Sequence, residues 1–268
     1  LVAEDNAVNL EVATAMLEAM GCQTVSAPNG RAAVELFARE QFDVVLMDCE
    51  MPIMDGTQAT RHMREVEAIA GTTRRRTPII ALTAHALNEV RESCLASGMD
   101  DFLIKPFDDR QLGETLRRWM IAKTPLSGGD PNAEAPPPLG IEDDAEATLV
   151  IDMKVINELR ALDRKGRPSR LGRAVSRFME IAPPLVAGMR ENFESGDADL
   201  LWRAAHSLKS SAGALGATQL SRRCAEIEAF ARQGDIARTQ PLVEPLDDDL
   251  IAAISGLRAL IGELHVSA

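Results

Sequence analysis

From Leu1 to about Met120 short apolar runs alternate with amphipathic stretches, and beyond Ile151 the short runs stop. The run Val44-Val45-Leu46-Met47 contains no polar residue and ends in Asp48. An uninterrupted apolar run suits a strand covered on both faces by helices. The residues after it argue against a buried helix: Met51-Pro52 does not continue one, and Asp55-Gly56 signals a turn into the amphipathic stretch from Thr57. Asp48 therefore falls at the carboxyl end of a buried strand, where open α/β sheets place their chemistry. Four more strands are predicted: Leu1 to Ala3, Thr24 to Ala27, Pro78 to Leu82 ending at Thr83, and Asp101 to Ile104 ending at Lys105-Pro106. Helices fill the gaps. The first has Leu10, Ala13, Met16, Leu17 and Met20 inward and stops at Gly21; the second opens at Pro28-Asn29-Gly30 and carries Ala33, Leu36 and Phe37; the last covers about Asp109 to Met120. Strand alternating with helix is the pattern of a doubly wound parallel sheet.

The second half carries helical periodicity only. Helices are predicted at Met153 to Leu162, at about Ser169 to Glu194, at Leu200 to Gly216, at Thr218 to Arg232 and at about Leu242 to Leu264. Pro183-Pro184 should bend or interrupt the second of these, and Pro241 and Pro245 mark an irregular start to the last. Four long helices with short connections make an antiparallel bundle. In the central helix Leu201, Trp202, Ala205, Leu208, Ala212 and Leu215 form the apolar stripe, while His206, Lys209 and Gly213 share a different face. A histidine off the stripe should be solvent-accessible, and with an ordinary pKa of about 6.5 it offers a neutral, nucleophilic imidazole.

Between the halves, Ala122 to Thr148 turns to Pro, Gly, Ala and acid, with Pro136-Pro137-Pro138 and Glu142-Asp143-Asp144. Such a composition builds no core and reads as a tether. Its r.m.s. reach would be about 25 to 30 Å, enough to make docking within one molecule feasible. The expected organisation is residues 1–121, a linker at 122–149, and a helical domain at 150–268.

Composition narrows the chemistry. Of the 268 residues 46% are hydrophobic and 26% charged, which suits globular domains, and no apolar run approaches a membrane span. A net charge of −12 argues against nucleic acid, as does the absence of Tyr; Arg74, Arg75 and Arg76 are assigned no function. Four cysteines without a C-x-x-C pair favour a reducing cytoplasm and do not suggest zinc. His62, His85 and His265 are read as ordinary surface or loop residues. The start at Leu1-Val2-Ala3 reads as the end of a strand, so a fragment of something longer is expected.

The informative constellation lies at the strand ends: Glu4 and Asp5, Asp48, Thr83 and Lys105. In a 2-1-3-4-5 order the first, third, fourth and fifth strands lie side by side, which gathers these groups at one edge. Three crowded carboxylates call for a cation, and oxygen-only ligands with open positions favour Mg²⁺. A lysine and a hydroxyl complete a phosphoryl pocket. A nucleotide site is disfavoured, since Glu4-Asp5-Asn6-Ala7-Val8-Asn9 replaces any glycine-rich loop after the first strand.

With these residues in place, 1 to 120 resembles the receiver domain of two-component response regulators, a flavodoxin-like fold. The resemblance implies that Asp48 accepts the phosphoryl group, that Glu4 and Asp5 are the acidic pair, that Thr83 is the switch hydroxyl, Phe102 the switch aromatic and Lys105 the lysine. It also implies that Glu50 gives Mg²⁺ its backbone carbonyl. Ala205 to Gly216, reading AHSLKSSAGALG, resembles the histidine phosphotransfer (HPt) motif, with His206 phosphorylated, Lys209 beside it, and Ser210 where many members have glycine. Together these imply the receiver and HPt portion of a bacterial hybrid sensor histidine kinase, exchanging a phosphoryl group between Asp48 and His206. No ATP-binding kinase module is visible, so the expected donor is an upstream kinase domain and the expected final acceptor a separate response regulator. The chain would be the cytoplasmic part of a sensor, itself membrane-bound or not. The rival reading is a regulatory binding module whose docking is tuned by phosphorylation.

Overall fold

The computed structural model describes residues 1–71, 76–84, 88–121, 150–163 and 169–266. Its first half contains β1 (Val2–Ala3), α1 (Ala7–Ala19), β2 (Ser26–Ala27), α2 (Gly30–Arg39), β3 (Val45–Asp48), α3 (Gly56–Ala70), β4 (Ile79–Thr83), α4 (Asn88–Ala96), β5 (Asp101–Ile104) and α5 (Asp109–Ile121). The strands form one parallel sheet in the order β2-β1-β3-β4-β5. Alternation along each strand divides the core between two layers. Val2, Leu46, Ile80 and Leu82 face the layer of α1 and α5. Ala3, Val45, Met47, Ile79 and Ala81 face the layer that holds Ala33 and Phe37 of α2 and Ala59 and Met63 of α3. The doubly wound expectation holds.

The second half contains α6 (Met153–Ala161), α7 (Arg170–Ser195), α8 (Ala198–Ala214), α9 (Thr218–Arg232), a 3₁₀ turn (Ile236–Thr239), α10 (Gln240–Val243) and α11 (Leu246–Val266). The long helices α7, α8, α9 and α11 make the bundle, and Gly196 ends α7 in the left-handed conformation that glycine adopts without strain. Of the two outcomes expected at Pro183-Pro184, interruption does not occur: α7 runs from Arg170 to Ser195 with both prolines inside it. Two N–H donors are forgone, but Phe178, Ala182, Val186 and Met189 are buried along the same helix and keep it packed across the prolines.

Helix α1 joins the halves. It lies on the sheet and also packs against α7 and α8. Val8, Val12, Ala13, Ala15, Met16 and Leu17 are all buried, more than one face of an amphipathic helix, and Met20 lies at its exposed end rather than inward. One apolar cluster therefore passes from Leu46 and Ile80 in the sheet through Val12 and Met16 to Phe178 and Leu208 in the bundle. The predicted linker, together with Arg74, Arg75 and His85, lies outside the described residues.

Candidate functional site: a shared phosphoryl-transfer cleft

Asp48 ends β3, with its backbone in register with Leu82 of the neighbouring strand. The turn behind it closes because Gly56 has no side chain: a Cβ there would stand 2.1 Å from the Asp48 carbonyl oxygen. Asp55 caps α3 by accepting from the Gln58 N–H at 2.8 Å, which fixes the turn. Lys105 arrives from the end of β5, and its backbone N–H donates to Thr83 O at 2.7 Å. Its ammonium donates to Asp48 Oδ2 at 2.7 Å and Glu4 Oε2 at 2.6 Å. Thr83 is buried at the end of β4, and Phe102 is half-buried on β5 with the Arg91 guanidinium 5.2 Å from its ring centre.

The carboxylates of Glu4, Asp5 and Asp48 bring oxygen atoms within 4.8 Å of one another. Glu4 and Asp48 are buried, while Asp5 is exposed. Burial pushes the Asp48 carboxyl up to about 7; Lys105 opposes that shift and Glu4 adds to it. Asp5, although exposed, is also raised, first by the desolvation of its position at the cleft and then by the charge of Asp48. Lys105 is held protonated, because Glu4 and Asp48 outweigh its own desolvation. One ammonium faces three carboxylates, so this edge carries uncompensated negative charge presented on oxygen donors. That donor set fits Mg²⁺.

Across the cleft, His206 lies on α8. Its Nδ1 is 2.9 Å from Glu228 Oε1 on α9. Lys209 donates to Glu228 Oε2 at 2.5 Å, and Arg232 Nε donates to Oε1 at 3.0 Å. Burial alone would raise the Glu228 pKa; the bonds from His206 and Lys209 outweigh it and bring the carboxyl down to about 2. An ionised carboxylate only accepts, so it is the tautomer with the proton on Nδ1 that fits this contact. Nε2 lies on the side of the α/β half, 3.7 Å from Glu50 Oε2.

Asp48 and His206 line one cleft of about 590 Å³, together with Glu4, Asp5, Asn6, Glu50, Trp202 and Arg232. Its walls are held by amide-to-hydroxyl bonds. The Asn6 side chain caps α1 through its oxygen, accepting from Val8 N–H at 3.0 Å, and uses its nitrogen to donate to Ser207 O at 3.0 Å and Ser211 Oγ at 2.6 Å. Asn9 donates to Ser210 Oγ at 2.7 Å and to Glu4 Oε1 at 3.1 Å. At the far end of α1, Arg170 donates to Ala15 O at 2.7 Å and to Glu18 at 3.2 Å, and Arg173 to Glu11 at 2.6 Å.

Several side-chain expectations need correcting. His206 is less open to solvent than expected: its side chain is 16% exposed, set among Glu228 and Trp202 of the bundle and Glu50 of the α/β half. Trp202 packs at the edge of the core and also borders the His206 face; its ring meets His206 edge-on at 6.5 Å and carries the Arg232 guanidinium at 4.2 Å. Gly213 also packs within the bundle, where a Cβ would meet Ser221 Oγ of α9 at 3.3 Å. Cys49 and Cys94, both free, come together in the fold with their Sγ atoms 3.5 Å apart. Residues that sequence reasoning missed are Glu228, Arg232, Asn6 and Asn9. A second cluster, Glu50, His206 and Glu228, also brings donor atoms within 4.8 Å, but Lys209 and Arg232 already supply its cations.

Comparison with known proteins agrees with this geometry. Residues 1–117 match the model of the response regulator receiver domain, and residues 173–263 that of the Hpt domain. The sensor histidine kinase GacS of Pseudomonas protegens is 31% identical over 255 residues, covering 92% of this chain and 26% of that protein. The sensor protein GacS of Pseudomonas syringae pv. syringae is 45% identical over 119 residues, covering 44% of this chain and 13% of its own length. Among solved structures, the receiver domain of sensor histidine kinase PA1611 from Pseudomonas aeruginosa PAO1, with a magnesium ion coordinated in its active site cleft, is 44% identical, with 44% of this chain and 93% of that one covered and a TM-score of 0.40. The chain thus spans about an eighth to a quarter of the length of these two curated relatives. Sheet, bundle, motifs and family models converge: the chain belongs to the two-component phosphorelay proteins, a receiver domain followed by an Hpt domain as in hybrid sensor histidine kinases.

Proposed function

We propose that this chain passes a phosphoryl group between Asp48 and His206, one domain to the other, as two stations of a relay. The observation that carries the reading is the common cleft: Asp48 and His206 line it together. In the exchange a P–N bond at His206 Nε2 breaks as a P–O bond at Asp48 forms, or the reverse. Glu228 keeps the proton on Nδ1, so Nε2 needs no general base to act as nucleophile. Lys105 donates to the Asp48 oxygen and offsets charge as the acyl phosphate forms. Lys209 and Arg232 bring positive charge to the His206 side of the cleft. Thr83 is the hydroxyl that answers phosphorylation, and Phe102 the aromatic that turns with it.

Asp5 and Asp48, with Glu4 and the Glu50 carbonyl beside them, would hold Mg²⁺ at the acidic edge. It would supply charge to offset that of the phosphoryl oxygens. The Glu50 carboxylate is engaged with Arg232, which supports the assignment of its carbonyl. The working units are residues 1–121 and 150–268, and the reaction is assigned to the cytoplasm. Among the described residues no helix is long and apolar enough to cross a membrane. An upstream kinase domain supplies the group, and a separate response regulator removes it.

The test is labelling of the full chain with Mg²⁺ and radiolabelled acetyl phosphate. Label should appear first as a base-labile acyl phosphate at Asp48 and then as an acid-labile phosphoramidate at His206. Label confined to Asp48, even when a phosphorylated receiver is added in excess, would break the reading.

A further inference from the structure

The acid two residues beyond Asp48 reaches out of its own domain. Glu50 Oε1 and Oε2 accept from Arg232 Nη2 at 2.9 and 2.7 Å. Arg232 ends α9, donates through Nε to Glu228 at 3.0 Å, and has its guanidinium carbon 4.2 Å from the Trp202 ring centre. Glu228 is the carboxylate that holds His206 Nδ1. One guanidinium therefore links the receiver acid beside Asp48 to the acid that orients the imidazole.

We infer that Glu50 and Arg232 form the specificity pair of the transfer, with Arg232 as the positioning residue through which a docked receiver sets His206. The inference rests on the relay reading and deepens it. Two features set this pair apart from the other contacts between the domains. Arg170 donates to the main-chain carbonyl of Ala15, which any sequence supplies, and pairs with Glu18 at the end of α1, away from the cleft; the Asn6 and Asn9 amides meet hydroxyls, which discriminate weakly by charge. Arg173 and Glu11 are also a charge pair, but they lie along α1, away from the cleft that Asp48 and His206 share.

Among the described residues Glu50 is the receiver carboxylate paired with the imidazole, 3.7 Å from Nε2. Left unneutralised, it would repel both Glu228 and an incoming phosphoryl group. Arg232 answers both carboxylates at once, and its planar fork, set against Trp202, fixes their separation. A receiver with a basic residue at that position would meet Arg232 with like charge. One with a neutral residue would leave the outer face of the guanidinium unpaired. The pair thus favours a receiver whose second residue past the phospho-acceptor is acidic.

The experiment is a double-mutant cycle on the full chain: unaltered, E50Q, R232Q, and both together. The first readout is the rate at which label moves from Asp48 to His206, normalised to the label on Asp48. Each single change should slow passage about tenfold, and the double variant should be no slower than R232Q. Losses that multiply to about a hundredfold in the double variant overturn the inference, as do singles that transfer at the unaltered rate.

The second readout is amide hydrogen exchange of Ala7 to Ala19, the helix covered by α7 and α8, which reports docking without any phosphoryl group. Exchange should rise alike in both singles and no further in the double variant. A chain that shows this coupling yet never labels His206 breaks the relay reading and leaves the pair standing. A chain that relays normally but shows no coupling in either readout breaks the pair alone.

Discussion

The two ends of the cleft reach phosphoryl chemistry by different constructions. On the receiver side the groups come from the ends of four parallel strands, and three carboxylates share one lysine. On the bundle side a single helix face carries His206 and Lys209, and one buried acid from the next helix holds both. The receiver edge stores negative charge that a cation must relieve. The bundle site is nearly self-neutralised, since Glu228 is answered by Lys209 and Arg232. The contrast assigns metal and polarisation to one partner, and orientation of a nucleophile to the other. A histidine site of this kind needs no pocket of its own, because the docked receiver supplies the other wall.

The sharpest way to break that contrast is to remove the acceptor. Asp48→Asn should abolish acetyl phosphate labelling of the receiver, and with it all label on His206, with the far-ultraviolet circular dichroism spectrum unchanged. Next in size is Asp5→Asn, which should weaken Mg²⁺ binding and labelling together by about 10- to 100-fold, as titrated by the metal dependence of the labelling rate. Undiminished labelling at low Mg²⁺ would remove Asp5 from the metal set.

Glu228→Gln should leave receiver labelling alone and slow transfer to His206 by about tenfold to a hundredfold, because the imidazole loses its ionised acceptor. Its tautomer, read by nitrogen NMR, should shift away from Nδ1–H. The same substitution has a pH signature. Folding lowers the Glu228 pKa from 4.5 to about 2, so its contribution to stability is complete above about 4.5 and is lost as pH falls towards 2. Denaturant unfolding of the unaltered chain should show that loss, and Glu228→Gln should not share it.

The docking contacts rank lower. Arg170 is buried and donates to a main-chain carbonyl of α1, so Arg170→Ala should weaken docking by about 1 to 3 kcal/mol, seen as faster amide exchange in α1. Arg173→Ala, which removes a partly exposed ion pair with Glu11, should cost about 0.2 to 1 kcal/mol in the same measurement. If Arg173 proved the costlier of the two, the interface would be governed by charge along α1 and not by its buried centre.

Legibility in the sequence divides along the same line. Each receiver group sits directly after a strand, so a local apolar run points to it, and parallel order does the gathering; Asp48, Lys105, Glu4 and Asp5 were legible for that reason. His206 and Lys209 were legible as one helix face. Glu228 and Arg232 were not, because they belong to a different helix whose apolar stripe, Leu220, Cys224, Ile227 and Phe230, gives no sign that Glu228 is buried beside it. Glu228 lies 22 residues from the histidine it holds, and no spacing rule joins them. The exposure predicted for His206 was too great for a related reason: off the apolar stripe means off the bundle core, but Glu228 from the next helix and Glu50 from the α/β half border that face. Pro183-Pro184 misled because local breaking rules take no account of packing on both sides.

One consequence of the covered histidine concerns traffic. The face that presents His206 is occupied by the chain's own receiver, so a downstream acceptor does not meet a free surface but joins a queue. A neighbour on the same polypeptide competes at an effective concentration in the millimolar range, while a separate regulator at micromolar concentration starts about a thousandfold behind. Any other receiver that used this face of the bundle would first need α1 to lift from α7 and α8, so the lifetime of that resident packing would bound its access.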